Sequence, residues 1–488
     1  MNLSASSPTP RSTVPSGPRA ATSTAVLIPT ARPTFDIATA TAYADAAAAL
    51  LRDLGADVVR PDGLVMEASQ IPAAKALLDD QTGLVVHVCA SFADAGPALE
   101  LYRGLGRPVL LWAFREPGAA GDRLLLNSLC GANLVAHALV RSGVDVRLCY
   151  GNPDDPIVRS VLAAALDGEL PALPVLPGSV GVRAPRDVAV AALDHLRGQR
   201  IGVLGEPPTG FTPSEFDAEV LRRLFGLDVE PLRLDEMFAR IEQVSRPDRE
   251  LELAAAMEWQ PSLADLESSV LDTFAAVTIA LREWHHDDRL AALSIRCWPE
   301  FPTELGVCPC SALSRLADEK VATQCERDVY GAATMLLMAA LGSGPSYLVD
   351  TVDLVAEENL VRFWHCGSAA TGLAAEPSDA TQFTHCNRKI GVVGNFALRP
   401  GPVIAVRLTE DPSRPGSLRM LMASGTALDG PNRFQGNTAD VELDSDAGRF
   451  VESLVTGGFP HHTVLAWNDI RPGLRAVADE LDIPVVEF

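Results

Sequence analysis

Apolar and polar positions alternate along the first 155 residues in two rhythms. Short runs such as TAVLIPT (24–30), GLVVHVCAS (83–91), RPVLLWAF (107–114) and VDVRLCYG (144–151) are nearly continuous in apolar residues, as expected of strands buried on both faces. Between them lie helical stretches: DIATATAYADAAAALLRDLG (36–55), AAKALLDD (73–80), AGPALELYRGLG (95–106) and NLVAHALVRSG (133–143). Strands separated by helices predict a parallel α/β sheet. A proline-rich crossing, PALPVLPG (171–178), precedes a second α/β set that opens at QRIGVLG (199–205). It continues through a long helix over 263–284, the strands LAALSIRCW and VATQ, and a helix from about Val329 to Leu341. After Gly344 the rhythm changes. SYLVDTVDL, LVRFWHC, IGVVGNF, VIAVRLTE and LRMLMASG read as strands joined by short loops, before a last helix and strand, RPGLRAVADELD and IPVVEF. The fold class expected is α/β: two Rossmann-like domains (25–180 and 181–343) followed by a C-terminal antiparallel, barrel-like β domain (344–488).

Residues 1–24 are rich in Ser, Thr, Pro and Ala without an apolar signal-peptide core, and are expected to form a disordered tail. The apolar share of 47% over 488 residues supports large cores. Runs such as TMLLMAAL fall short of the roughly 20 residues a membrane helix needs. The nine cysteines show no disulfide-framework spacing, which predicts reduced thiols and a cytoplasmic protein. The pair Cys308 and Cys310 lacks the second half of a zinc motif.

A net charge of −23 argues against nucleic acid as a partner and requires a local arginine pocket for any anionic substrate. Lysine occurs only at Lys75, Lys320 and Lys389, which disfavours Schiff-base chemistry. The loop GEPPTGF (205–211) lacks the dinucleotide-binding fingerprint.

Candidate chemistry gathers in three places. In QCERDVY (324–330), Asp328 stands where a helix N-cap belongs, and Gly342 suits the left-handed position beyond the other end. Glu326 lies at the carboxyl end of a strand, the edge where α/β sheets build sites, although a pairing with Arg327 would explain it equally. In the hairpin 346–366, a turn over Ala356–Asn359 would set Asp353 opposite Arg362 and Asp350 opposite His365, with Cβ atoms roughly 5 Å apart. That second pair is either a plain hydrogen bond or two ligands for a divalent cation, and a one-residue slip would undo it. In GGFPHHT (457–463), one of His461 and His462 should face a site and the other pack. A second histidine pair, His285 and His286, sits among charges and reads as surface. Oxygen and imidazole ligands together suit Mn²⁺, with Co²⁺ or Mg²⁺ as alternatives. Arg296 and Trp298, at the end of the strand before Glu326, are substrate-binding candidates, unless Arg296 pairs with Glu300 or Glu304 and Trp298 packs in the core.

The motifs CERDVYGAATMLL, SYLVDTVDL, FWHCG and GGFPHHT resemble the L-fucose isomerase and L-arabinose isomerase family. RPTFD and SLCGANLVAHAL, near the start, resemble it more weakly. The resemblance keeps its order from about residue 25 to the end. It implies a Mn²⁺-dependent aldose–ketose isomerase that works through an enediolate, assembled as a homo-oligomer, a hexamer in that family. Glu326 and Asp350 would be its catalytic acids and metal ligands, and His462 a further ligand. His365 matches a ligand of the arabinose branch. The substrate implied is a small sugar: a deoxyhexose, a pentose, or a sulfonated hexose converted from sulfoquinovose to sulfofructose. Which carboxylate is the base stays open. A metal-dependent sugar aldolase or lyase, which would cleave its substrate, and a non-catalytic sugar-binding protein are the rival readings.

Overall fold

The computed structural model describes residues 23–78 and 83–488. The expected tail lies outside the described residues, apart from Ser23 and from Thr24, which already belongs to the first strand. Part of the stretch 73–80 is likewise undescribed; its described portion is helical from Ile71 to Lys75.

Three sheets organise the chain. The first is all-parallel, with spatial order Asp57–Val59, Thr24–Thr30, Leu84–Cys89, Val109–Ala113, Val146–Tyr150. Its inner strands are buried on both faces, which explains their unbroken apolar runs. The second sheet, also parallel, runs Asp228–Leu232, Arg200–Leu204, Ala292–Ile295, Ala322–Gln324. Its last strand ends two residues before Glu326.

The third sheet has nine strands and is mixed, not purely antiparallel. Most of its pairs are antiparallel, but Gly391–Ala397 runs parallel to Asn437–Leu443, and Val485–Glu487 parallel to Leu418–Ala427. The final strand follows a helix, Arg471–Glu480, and such a crossover naturally delivers a parallel partner. Asn437–Leu443 pairs with both Leu360–His365 and Leu418–Ala427, so six strands form a closed ring. Closure leaves those strands without open edges.

The helix Val329–Ala340 is buried along its first ten residues and packs between the second and third sheets. Asp328 caps its start, accepting a hydrogen bond from the Gly331 amide at 2.8 Å. Gly342 lies beyond its end in the left-handed region at φ 86°. The glycine at 331 has its own reason: a Cβ there would sit 2.8 Å from Asp328 Oδ2 and 3.2 Å from an Arg407 nitrogen.

A candidate active site between three strand ends

The central strand of the site is Ser346–Val355. On one side it pairs with Leu360–His365, on the other with His462–Ala466. The expected cross-strand pair Asp353–Arg362 forms, with an ion pair of 2.5 Å. A bulge between Thr351 and Asp353 then shifts the register by one residue. Asp350 therefore stands opposite Trp364, not His365. Its imidazole neighbour comes from the other flank: Asp350 is in register with His462. His365 still reaches the same cluster, its ring centroid 5.5 Å from that of His462.

Glu326 enters from the second sheet. Glu326 and Arg327 both adopt the left-handed region, at φ 58° and 57°, a strained conformation for residues with side chains. Their surroundings hold them there. Arg327 turns away from Glu326 and donates to the carbonyls of Gly205 and Ser214 at 2.6 and 2.8 Å. The Ser214 hydroxyl donates to the Glu326 carbonyl at 2.5 Å. Glu326 is thereby free of the neighbouring arginine. Its Oε1 accepts from the Trp298 indole N–H at 3.1 Å, and its Oε2 lies 3.2 Å from His462 Nε2 and 3.5 Å from His461 Nε2.

The two histidines do not diverge as an extended chain would make them. His461 precedes the strand, and the two rings sit with centroids 4.0 Å apart, both fully buried and both within reach of Glu326 and Asp350. His462 is gripped from behind: its Nδ1 donates to Asp328 Oδ2 at 2.8 Å. Asp328 in turn is held by both terminal nitrogens of Arg407, a buried guanidinium. So Asp328 does more than cap a helix. It fixes the tautomer and direction of an imidazole in the site.

The electrostatics follow from burial and these pairs. Burial disfavours charge on Asp328, but Arg407 and His462 overcome it and hold its carboxyl far below the usual range. Burial opposes charge on Glu326 as well, and the histidines pull it well below its ordinary value. Burial pushes Asp350 up to about 7, with His462 working against that rise and Glu326 adding to it. His462 rises to about 9 in spite of burial, through Asp328 and Glu326. Burial drives His365 down to about 3.

The donor set suits a divalent cation. One donor atom each from Glu326, His365 and His462 lies within 4.8 Å of the others, and so does one each from Cys130, Asp350 and His461. Asp350 Oδ1 and His461 Nδ1 are buried without a hydrogen-bond partner among the described residues, and His462 Nε2 has the Glu326 carboxylate at 3.2 Å. Buried polar atoms without partners are costly, and a cation would satisfy the orphaned carboxylate oxygen. A carboxylate behind the histidine, as Asp328 stands behind His462, is the usual support of a metal-binding imidazole.

The two substrate-binding candidates separate. Arg296 is tied to Glu300 through both Nε and Nη2, at 2.9 and 2.5 Å, and to the Glu206 carbonyl, outside the acid–histidine cavity. Trp298 does wall that cavity, beside Glu326. Two other arginines, Arg32 and Arg388, line it instead. Sequence reasoning also passed over Arg407, whose signal was a lone charge inside the apolar run VIAVRL. All nine cysteines are free. Cys310 brings a sulfur within 4.8 Å of those of Cys325 and Cys366, with Cys308 packed in the same buried cluster as Cys310. His286 is exposed, as read, but His285 at the same helix end is half-buried with its Nδ1 out of solvent and is not simply surface.

No family model matches the sequence. Curated relatives do, over nearly all of it. A protein of Alkalicoccus urumqiensis named sulfoquinovose isomerase is 33% identical over 405 residues, 83% of this chain and 86% of that one. Those of Clostridium sp. (strain MSTE9) and Priestia megaterium, with the same name, are 30% and 29% identical, covering 93% and 94% of this chain and 96% and 98% of their own. The chain is an aldose–ketose isomerase, a sugar-converting enzyme. More narrowly, it belongs to the sulfoquinovose isomerase family.

Proposed function

We propose that this chain is a divalent-metal-dependent isomerase, served best by Mn²⁺, that interconverts sulfoquinovose and sulfofructose through an enediol. The observation that carries the reading is the convergence of Glu326, Asp350, His365 and His462, from separated parts of the chain, on one cluster with an unpartnered carboxylate oxygen beside a cavity. The names of the relatives supply the sugar.

These four side chains would hold the cation. When bound, it supplies Lewis acidity that lowers the cost of negative charge on a sugar's carbonyl and adjacent hydroxyl oxygens. The remaining work belongs to the protein. Glu326, ionised and steadied by the Trp298 N–H, takes the proton from C2 and returns it at C1. Asp350 manages the hydroxyl proton between O1 and O2. Trp298 and Phe92 wall the cavity and exclude water from the reacting carbons.

The test is incubation of enzyme and Mn²⁺ with sulfoquinovose, followed by NMR. Sulfofructose should appear with total sugar conserved, stop when EDTA is added and resume with excess Mn²⁺. Conversion unaffected by EDTA would remove the metal from the mechanism, and two smaller fragments would make the enzyme a lyase.

A further inference from the structure

Arg388 poses a problem for any account of folding alone. Its guanidinium is half-buried, borders the acid–histidine cavity, and has no hydrogen-bond or ion-pair partner among the described residues. In a chain of net charge −23, an unpaired and partly desolvated arginine is unexpected. It also faces a second cation. Arg32 lines the same cavity, stacked over the Trp298 ring at 4.2 Å, and its charge adds to the cost of charge on Arg388. Arg32 is balanced by Asp94 at 2.9 Å. Arg388 feels the Glu326 and Asp94 carboxylates across the cavity but forms a direct ion pair with neither.

The loop that carries Arg388 is built to be rigid. The His385 amide donates to the Ile390 carbonyl and the Lys389 amide to the His385 carbonyl, both at 2.8 Å. Within this closed turn the amides of Asn387 and Arg388 both donate to His385 Nδ1, at 3.2 and 3.3 Å. A ring nitrogen that accepts two N–H bonds carries no proton, so the neutral ring bears its hydrogen on Nε2. His385 is thus a fixed donor on the cavity wall. Asn387 borders the cavity too, but its buried, unpartnered atom is the acceptor Oδ1, which has no part in holding an anion.

We propose that the loop His385–Ile390 is the sulfonate-binding element of this site, with Arg388 as the residue that makes the enzyme prefer an anionic sugar to its neutral counterpart. The proposal rests on the reading of the chain as an isomerase of a sulfonated hexose and deepens it. The acids and histidines take the end of the sugar where isomerisation occurs. The 385–390 loop, on the same cavity, takes the tail. A sulfonate has three oxygens and no donor, which complements a guanidinium and an imidazole N–H. It also supplies the direct ion-pair partner that Arg388 lacks. Arg296, already saturated by Glu300, has no part in this.

The experiment is calorimetric binding of two sugar alcohols that cannot be isomerised: 6-deoxy-6-sulfoglucitol and 6-deoxyglucitol, which differ only in the sulfonate. Full-length wild-type enzyme, Arg388→Met and Arg296→Met are titrated in the presence of Mn²⁺. Wild type should favour the sulfonated ligand by about 10- to 100-fold, the range of one charge-assisted hydrogen-bond set. Arg388→Met should bring that ratio below about threefold, while Arg296→Met keeps it. A ratio unchanged in Arg388→Met, or one lost only in Arg296→Met, overturns the assignment, as does a wild-type enzyme without preference. The same samples, given sulfoquinovose and read by NMR, separate the two ideas. If preference is present and depends on Arg388 but no sulfofructose forms, the sulfonate site stands and the isomerase substrate is another sulfonate. If sulfofructose forms but the ratio ignores Arg388, the function stands and this loop assignment falls.

Discussion

Asp328→Asn is the most informative single substitution in the structure, because it removes one charge and almost nothing else. Asparagine caps helices about as well as aspartate, so the bond to the Gly331 amide survives. What is lost is the counter-charge of Arg407, whose side chain is only 1% exposed. Breaking a buried ion pair by removing one partner costs about 3–5 kcal/mol, because the other charge is left in the interior. The retained amide oxygen still accepts one bond, which places the expected loss near the lower end, about 3 kcal/mol. His462 loses its anchor as well, and weakening a support of this kind costs about 10- to 100-fold in metal affinity. Unfolding in urea would read the first effect and Mn²⁺ titration the second. Combining Asp328→Asn with Arg407→Met should restore stability, since the stranded charge is then gone, yet leave the metal affinity low. A single variant with stability within about 0.5 kcal/mol of wild type and unchanged Mn²⁺ affinity would refute the view that Asp328 is the anchor of the site.

Glu326→Gln should lower kcat by about 10²- to 10⁴-fold and abolish deuterium uptake from solvent into the sugar; turnover near the wild-type rate would show that another group moves the C2 proton. Metal binding should tighten with rising pH. Without a cation Asp350 holds a proton up to about pH 7 and His462 up to about 9, so both must deprotonate to act as ligands. Mn²⁺ affinity measured at pH 6 and pH 8 should therefore be greater at pH 8, and an affinity flat across that interval would contradict the ligand set.

Much of the fold is readable from local pattern, and the site is readable only where its partners are close in sequence. Continuous apolar runs mark the inner strands of the parallel sheets, because those strands meet protein on both faces. The pair Asp353–Arg362 follows from the turn, nine residues of separation being spanned by one hairpin. Asp350 is misplaced by the same reasoning, since a bulge depends on packing that pairing arithmetic does not contain. Its true partner, His462, lies on a strand brought in by the closed sheet. The sheet's parallel edge strands are hidden for the same cause. Arg388 is hidden differently: a polar loop residue carries no pattern, and its lack of a partner emerges only in three dimensions. Arg407 was the visible exception, a charge set in an apolar strand, where burial without a partner would be prohibitive.

The two carboxylates of QCERDVY approach the same imidazole from opposite sides, Asp328 at Nδ1 and Glu326 at Nε2. That arrangement makes sense as a charge count. Asp328 is cancelled by Arg407, a permanent cation that cannot leave. Glu326 has no such partner, because its neighbouring arginine is committed to backbone carbonyls. In the site without metal, protons do the balancing: His462 is a cation beside Glu326, and Asp350 carries its proton below about pH 7. A divalent cation that displaces the protons of His462 and Asp350 leaves the net charge of the cluster unchanged. Under the proposed metal dependence, exchanging those protons for one divalent cation would avoid the penalty of creating net charge in a buried place. It would also leave Glu326 ionised throughout, the state its proposed role as base requires. The left-handed strain at Glu326 and Arg327 is what turns one carboxylate toward the cavity while Asp328, two residues on, stays locked to the scaffold.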